Sequence, residues 1–512
     1  MQDRNKNNSR IARNTLVLYV RMALLLLVGL YTSRVILNAL GVSDYGIYNV
    51  VGGFVAMFQL ISWTLSSSTG RFLTYELGRD NQEALKKVFS TGLSILFILC
   101  GIVILVGETV GLWFVNTHMN FPVGREFAAN WVFQLSLFAF CLDLICTPYN
   151  ADIIAHEKMT AFAYISILEA ILKLLVAFLV LYNPFDRLIY YAVLIFLVAL
   201  IIRFVYVIYC NKHFEETIYH PQWDRALVKE LFSFAGWSFV GASSSIFMTQ
   251  GVNMLMNIFF GVVANAARGI ATTIENIVNQ FSNNFLTAVY PQITKSFASN
   301  DLDYMHMLIC RGSKFSYYLV FVMAVPAILE AEPILMLWLG KVPEYTVVFV
   351  RLTIAVTMLS VISNTLITSM LATGNIKRYQ IIVGGLGCLV FPIVYVLYKI
   401  GAPAHVSYIV QFSIFLIQLW VRLYLLKDMI KLPVSMFVNG VLKYIVLVSV
   451  LAVIPPIIVH VSIDSLIARF FVVGTVSVLT SLFTIYICGL TKEEKAFVDS
   501  KVLSRIKSFF LH

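Results

Sequence analysis

Long apolar segments, one after another, constrain the fold of this 512-residue sequence more than any other feature. Hydrophobic residues make up 59% of the chain and charged residues only 12%, against about 25% charged residues in soluble domains. A helix that crosses a bilayer needs roughly 20 mainly apolar residues. The segments are continuous and do not alternate with polar residues, which indicates helices. We therefore predict an all-α polytopic membrane protein.

The apolar segments predict about fourteen membrane spans. They lie near residues 14–39, 46–70, 90–115, 129–150, 160–182, 188–210, 233–259, 265–290, 313–337, 346–373, 379–400, 404–426, 439–461 and 466–488. Lysine and arginine concentrate at the N-terminus and after spans 2, 8, 10 and 12, whereas the alternate loops carry few. Because basic loops stay on the cytoplasmic side, we expect both termini to be cytoplasmic.

A weak internal repeat is found when the sequence is shifted by about 220 residues. GVSDYG at Gly41 then aligns with GVVANA at Gly261, and ETVGLWF at Glu108 aligns with EPILMLW at Glu332. The shift covers six spans, an even number, so both copies have the same orientation. Transporter substrate sites lie where such repeats meet. We predict two parallel six-helix lobes around a central cleft, plus two extra C-terminal helices.

These features divide the chain into five predicted segments. They are an N-lobe (1–210), a cytoplasmic linker (211–232), a C-lobe (233–430), two extra spans (431–490) and a cytoplasmic amphipathic helix (491–512). The last helix opens with a capping box of Thr491 and Glu494. Its apolar face consists of Val498, Val502, Ile506 and Phe509. Such a helix is expected to lie on the anionic cytoplasmic leaflet.

Arginines inside the first span are the leading candidates for substrate binding. A charged side chain at the centre of a spanning helix costs about 2.5–3.5 kcal/mol, so Arg34 is expected to face a cavity or a partner. Its planar guanidinium matches phosphate oxygens. Pairing with Asp44, or exposure at the outer interface, is the alternative. Arg21 lies nearer the cytoplasmic end, where its side chain can also extend to the interface.

The eighth span carries a polar stripe. Arg268, Thr272, Glu275 and Asn279 recur at helical spacing on one face. Because a polar face toward lipid is costly, this stripe is expected to line a cavity or to pack against protein. Asn253 on span 7 belongs to a similar series, and its amide suits sugar hydroxyls.

Three further charged residues lie in the N-lobe spans. Glu169 and Lys173 on span 5 are four residues apart, in the order that favours a helical ion pair. They form either a buried structural pair or a coupling site for protons or ions. Asp143 on span 4 is a third candidate for coupling.

No pattern in the sequence predicts an enzyme. We find no metal-binding cluster, nucleophile elbow or glycine-rich phosphate loop, so neither catalysis nor a cofactor is expected. The seven cysteines lie mostly in spans without a CxxC pair and are interpreted as small apolar residues. The net charge of +10 is dispersed along loops, which argues against nucleic-acid binding.

Three short segments resemble the bacterial polysaccharide exporters of the MOP flippase superfamily, which have a MATE-like fold. They are SRVILNALGVSDYGIYNVV, IIAHEKMTAFAYISI and WDRALVKELFSFAGW. The family pattern in the first segment falls on Arg34, Leu40, Gly41, Tyr45, Gly46 and Tyr48. The third segment departs from the pattern, because Gly236 and Trp237 stand where the family commonly has a proline.

The resemblance implies a flippase that moves an undecaprenyl-diphosphate-linked oligosaccharide, an O-antigen or capsule repeat unit, across the bacterial inner membrane by alternating access. It implies membrane lipids, a polysaccharide polymerase and glycosyltransferases as partners; we expect a monomer. A cation-coupled multidrug antiporter and a lipid II flippase are the alternatives, and a membrane glycosyltransferase would need a larger extramembrane domain. Span 1 carries Arg21 and Arg34 but no carboxylate, which favours an anionic substrate.

Overall fold

The computed structural model describes residues 2–56, 59–118, 124–182, 186–221, 224–339 and 342–499. Every regular element in these ranges is helical, and no strand occurs within them. The predicted all-α class is therefore confirmed.

The described residues up to Ala298 contain nine α-helices. They are α1 (Gln2–Ala56), α2 (Gln59–Gly78), α3 (Gln82–Val106), α4 (Leu112–His118), α5 (Glu126–Ala155), α6 (Met159–Leu181), α7 (Arg187–His213), α8 (Arg225–Ile246) and α9 (Val252–Ala298). A 3-10 turn, Glu215–Thr217, follows α7. Single π-helical turns at Gly107–Gly111 and Phe247–Gly251 join α3 to α4 and α8 to α9.

The second half continues from α10 to α21 in the described residues. Its helices are α10 (Leu302–Leu329), α11 (Ala331–Leu339), α12 (Thr346–Ile362), α13 (Asn364–Thr373), α14 (Lys377–Tyr379), α15 (Gly385–Cys388), α16 (Val390–Lys399), α17 (Val406–Ile430), α18 (Val434–Phe437), α19 (Lys443–Ser462), α20 (Leu466–Thr484) and α21 (Lys492–Val498). Further π-helical turns lie at Gln380–Gly384, Val438–Leu442 and Ile485–Gly489.

Ten helical segments in the described ranges are long and apolar enough to cross a membrane. They coincide with predicted spans 3–6 and 9–14. The other four predicted spans lie on α1, α2, α8 and α9. Apolar side chains of α7, such as Ile201, Phe204 and Ile208, are 43%, 58% and 65% exposed, as expected for a surface in contact with lipid.

Gly41 and Gly261 break the two longest helices in the same way. Gly41 has φ 75° and ψ 169°, and Gly261 has φ 75° and ψ −167°. This conformation is essentially restricted to glycine. These are the two glycines that the 220-residue shift aligns, so both copies of the repeat have the same break at the same place.

The described residues form two compact units. The first takes its described residues from Met1–Ala242, Thr287–Asp301 and Gly374–Ile376, and the second from Ser243–Leu286, Leu302–Thr373 and Lys377–His512. The lobe boundaries drawn from the sequence, at residues 210 and 233, stay predictions.

A buried carboxylate holds the first unit together. The Glu157 side chain is fully buried and accepts hydrogen bonds from Gln292 Nε2 at 2.7 Å to both oxygens. Its carboxylate also contacts Lys295 Nζ at 3.0 Å and Arg10 Nε at 2.8 Å. Asn14 Nδ2 donates to the Glu157 backbone carbonyl at 3.2 Å. One carboxylate thus links α1, the α5–α6 turn and the end of α9.

In the second unit, alanines allow close helix packing. Ala264, Ala267 and Ala271 are all fully buried along α9, against a core that contains Phe349 and Tyr408. Small side chains at this spacing let neighbouring backbones approach closely. The core of the second unit is therefore built around the helix that carries Arg268.

The predicted C-terminal capping box is present. The Thr491 side chain accepts from the Glu494 N–H, and the Glu494 carboxylate accepts from the Thr491 N–H at 2.8 Å. The same carboxylate binds Lys314 Nζ of α10 at 2.6 Å, with both side chains buried. Helix α21 is therefore fixed to α10. Val502, Ile506 and Phe509 and the side chain of Val498, which form the predicted apolar face, lie outside the described part of the chain.

Candidate functional site

A polar cavity lies between α1, α6 and α7 of the first unit. Its volume is about 440 Å³, within the usual range for ligand pockets. We call it the α1–α6 cavity. Its polar lining residues are Arg21, Thr32, Tyr48, Ser166, Glu169, Lys173 and Tyr191. Because two cations and one carboxylate line this space, the cavity carries a net positive charge within predicted membrane spans.

Glu169 and Lys173 form an ion pair on the wall of the α1–α6 cavity. Lys173 Nζ lies 2.5 Å from Glu169 Oε1, one helical turn away. The side chains are 46% and 39% exposed for Lys173 and Glu169, respectively. Both side chains line the cavity, and the choice between a structural pair and a coupling site stays a prediction. Asp143 on α5 lies within electrostatic range of both.

Arg21 also lines the cavity. Its guanidinium carbon lies 4.3 Å from the centre of the Phe162 ring, in a cation–π contact. The Nε atom is buried and has no hydrogen-bond partner among the described residues. The side chain thus stays at the cavity with Glu169 and Lys173.

Arg34 lies on α1, two turns before the break at Gly41. Its side chain is outside the described part of the chain, so its predicted orientation stays a prediction. Asp44 is bound by a different arginine: Arg125 donates from Nε to Asp44 Oδ1 at 2.9 Å and from Nη2 to Oδ2. This two-pronged contact is the strong geometry for an arginine and a carboxylate.

Arg125 also binds Asp186, the N-cap of α7, at 2.5 Å. Burial alone raises the pKa of Asp186, but hydrogen bonds from the Ile189 N–H and from Arg125 outweigh it and lower the pKa below its ordinary value. At Arg125, the hydrogen bonds to Asp44 and Asp186 outweigh burial and raise the pKa of its guanidinium. Asp44, Arg125 and Asp186 therefore form a charged cluster that joins the start of α5 to the start of α7.

Arg268 is packed inside the second unit. It is 5% exposed, donates from Nε to Asn253 Oδ1, and lies with its guanidinium carbon 5.3 Å from the centre of the Tyr408 ring. Nη2 donates to the Thr249 carbonyl at 3.5 Å. Of the two alternatives predicted for the stripe, Arg268 takes the second in this conformation and packs against protein. The reason is that Tyr408 of α17 and Asn253 occupy the space around its guanidinium.

The rest of the stripe continues along α9. Thr272 is exposed, and its hydroxyl donates to the Arg268 carbonyl at 3.0 Å. Glu275 and Asn279 lie two and three turns beyond Arg268 and are half-buried. The stripe is therefore buried at Arg268 and more accessible toward Asn279.

Several residues around these sites were not expected from the sequence. Phe162, Tyr191 and Tyr408 provide the aromatic surfaces, and Tyr48 packs edge-on against Tyr191 with ring centres 4.8 Å apart. An aromatic residue in a spanning helix does not reveal which cation it faces. Only the packing of distant helices brings these rings to their partners.

Comparisons with solved structures identify the fold. A MATE protein in a bent conformation aligns with TM-score 0.71 at 12% identity, covering 84% of this chain and 97% of that one. An outward-facing multidrug resistance MATE family transporter of the MOP superfamily aligns with TM-score 0.72 at 12% identity, covering 83% and 96%. The chain has a MATE transporter fold. No family model matches the sequence, and a search of curated proteins returns no match.

A protein from Pyrococcus furiosus gives a third comparison. It is described as a MOP superfamily transporter whose binding pocket has reversed polarity, which suggests a different function. It aligns with TM-score 0.69 at 12% identity, covering 84% of this chain and 96% of that chain. All three structures are 12% identical to this chain, and together they show that it has the MATE fold.

Proposed function

We propose that this protein is a flippase that moves a polyprenyl-diphosphate-linked oligosaccharide from the cytoplasmic to the outer leaflet of a bacterial inner membrane. The observation that carries the proposal is the α1–α6 cavity, where Arg21 and Lys173 face a space of about 440 Å³ within membrane-spanning helices. A diphosphate is the anionic part of such a substrate. Hydrogen bonds from cationic side chains to it contribute about 1.5–3 kcal/mol each.

The remaining lining of the cavity suits the sugar part of the substrate. Thr32, Tyr48, Ser166 and Tyr191 provide hydroxyl groups, which donate to and accept from sugar hydroxyls. The oligosaccharide cannot cross hydrocarbon unaided, whereas the prenyl chain can remain in lipid. In this proposal Arg34 is a further phosphate ligand, and transport proceeds by alternating access between the two lobes.

The stripe on α9 has a secondary role in this proposal. Thr272, Glu275 and Asn279 contact sugars when the second unit opens, and Asn253 holds Arg268 until then. A polysaccharide polymerase and glycosyltransferases act after and before translocation, because their reactions consume and supply the lipid-linked unit. We propose that the protein acts as a monomer.

A cation-coupled drug antiporter is the second candidate function. Glu169 lines the cavity, and Asp143 lies within electrostatic range of it; paired carboxylates are suited to bind cations or protons. One matched structure is described as a multidrug resistance transporter. The two candidates differ in the sign of the substrate charge, and the positive balance of the cavity lining favours the anion.

Translocation in liposomes tests the proposal. The purified chain is reconstituted with a fluorescent polyprenyl-diphosphate disaccharide, and dithionite quenching measures how much label reaches the other leaflet. We expect protein-dependent translocation of this lipid, little translocation of lipid II, and no accumulation of ethidium in a parallel assay. Lys173→Gln should slow translocation of the disaccharide lipid. The control is Lys399→Gln, which replaces an exposed lysine at the end of α16 and should leave the rate unchanged. Ethidium transport without lipid translocation would instead support the antiporter.

A further inference from the structure

Three side chains that the proposed flippase activity does not use come together in the first unit. Asp152 and His156 lie one turn apart at the end of α5, and Glu216 belongs to the 3-10 turn after α7. One ligand atom from each lies within 4.8 Å of those of the other two. His156 Nε2 is 2.6 Å from Glu216 Oε1 and 3.8 Å from Asp152 Oδ1.

Asp152 has no hydrogen-bond partner in the described part of the chain. Its side chain is fully buried, and neither carboxylate oxygen accepts a hydrogen bond there. Glu157, five residues later and equally buried, contacts Gln292, Lys295 and Arg10. A buried carboxylate without such contacts costs several kcal/mol. Asp152 therefore lacks the cation that Glu157 has.

Neither Lys295 nor His156 forms a close ion pair with the Asp152 carboxylate. The Lys295 ammonium is bound to Glu157 at 3.0 Å and acts on Asp152 only through space. The His156 ring is already at Glu216, and it stacks on Phe214 with ring centres 4.2 Å apart and an interplanar angle of 14°. The ring is thereby held with Nε2 directed at both carboxylates.

We propose that Asp152, His156 and Glu216 bind one divalent transition-metal ion of the Zn²⁺ class. Two carboxylates balance the charge of a divalent ion, which suits a buried site. An imidazole nitrogen selects transition metals over Mg²⁺ and Ca²⁺. Small movements bring the three atoms to the 2.0–2.2 Å at which Zn²⁺ binds nitrogen and oxygen. His156 is 24% exposed and provides an entry path for the ion.

The bound ion fastens the turn after α7 to the end of α5. Both ends of this link belong to the first unit, and the turn lies within the predicted linker, residues 211–232, that leads to the second lobe. The site does not depend on the identity of the transported substrate. The sequence did not reveal it, because Glu216 is 60 residues from His156 and no metal-binding spacing links them.

Zinc binding to the full-length chain tests this proposal. The protein is purified in detergent without a polyhistidine tag, stripped with a chelator, and titrated with Zn²⁺ against a chromophoric chelator. We expect one site, with affinity lowered at least tenfold in Asp152→Asn and in Glu216→Gln. Glu215→Gln is the matched control, because Glu215 is the neighbouring residue, is 85% exposed and pairs with Lys86 instead; it should bind Zn²⁺ like the wild type.

X-ray absorption at the zinc edge of the loaded wild type gives a result that does not depend on the folding of any variant. We expect nitrogen and oxygen ligands at about 2.0–2.2 Å and no sulfur. Hydrogen exchange at residues 214–218 should slow when Zn²⁺ is added. The proposal would be overturned by the absence of stoichiometric zinc, by sulfur ligands at the metal, or by an affinity for Zn²⁺ that is equal in Asp152→Asn, Glu216→Gln and the wild type.

Discussion

The buried ion pair between Lys314 and Glu494 allows a quantitative prediction. Lys314 is 2% and Glu494 is 5% exposed in the side chain, and their charged atoms are 2.6 Å apart. The neighbouring Glu493 binds Arg311 at 2.9 Å but is 83% exposed. Glu494→Gln retains a capping-box side chain, since glutamine also serves at that position, and removes only the charge.

Replacing Glu494 should weaken the attachment of α21 far more than replacing Glu493. Removing one partner of a buried pair costs about 3–5 kcal/mol. In Glu494→Gln the amide oxygen can still accept a hydrogen bond from Lys314, so we expect a cost at the lower end of this range, about 3 kcal/mol. Breaking an exposed pair costs about 0–1 kcal/mol. Because 1.4 kcal/mol corresponds to a factor of ten, Glu494→Gln should favour detachment of α21 by more than about a hundredfold. Glu493→Gln should change it by about fivefold at most.

Hydrogen exchange of the amides at residues 491–499, measured in detergent by mass spectrometry, tests this difference. Exchange in Glu494→Gln should rise by the predicted factor or reach the rate of free peptide, and α3 should be unchanged. Equal protection of α21 in the two variants would show that the buried pair does not hold this helix, and the reasoning would be wrong.

Two further predictions concern the backbone break in α9 and the charged cluster at the start of α7. Gly261→Ala should destabilise the protein by about 1–3 kcal/mol, because the backbone conformation at this position is restricted to glycine. No atom lies within 4 Å of an added Cβ, so the cost comes from the backbone and not from a clash. The control is Gly269→Ala on the same helix, where the space is equally open, and it should be neutral or stabilising in thermal unfolding. Asp186→Asn retains the N-cap but loses the charge. Since the folded state lowers the pKa of Asp186, its contribution to stability is present above its ordinary pKa of about 3.9 and is lost as the pH falls through the folded pKa. Asp186→Asn should therefore melt below wild type at pH 7, and the difference in melting temperature should shrink as the pH falls below about 3.9; a constant difference would contradict this.

Features that depend on one helix were predictable from the sequence. The apolar segments define the helices, and Glu169 and Lys173 meet because they are one turn apart. Each follows from local geometry, which the spacing of residues along the chain records directly.

Features that depend on packing between distant segments were not predictable. Arg268 is buried because Tyr408 of α17 closes over it, and no spacing along α9 indicates that. Arg125 and Asp44 are 81 residues apart, so the sequence left Asp44 as a possible partner of Arg34. A charged side chain in a spanning helix predicts that a partner exists, but only the tertiary structure shows which residue that partner is.

The affinity of a polyprenyl diphosphate for two variants of the Glu169–Lys173 pair tests the central claim most directly. The variants remove opposite charges from the same wall of the α1–α6 cavity, so any loss of the ion pair itself is common to both. If the cavity binds the diphosphate, Lys173→Gln should weaken binding by about ten- to a hundredfold, and Glu169→Gln should bind as tightly as the wild type or more tightly. Loss of binding in Glu169→Gln with unchanged binding in Lys173→Gln would contradict the account.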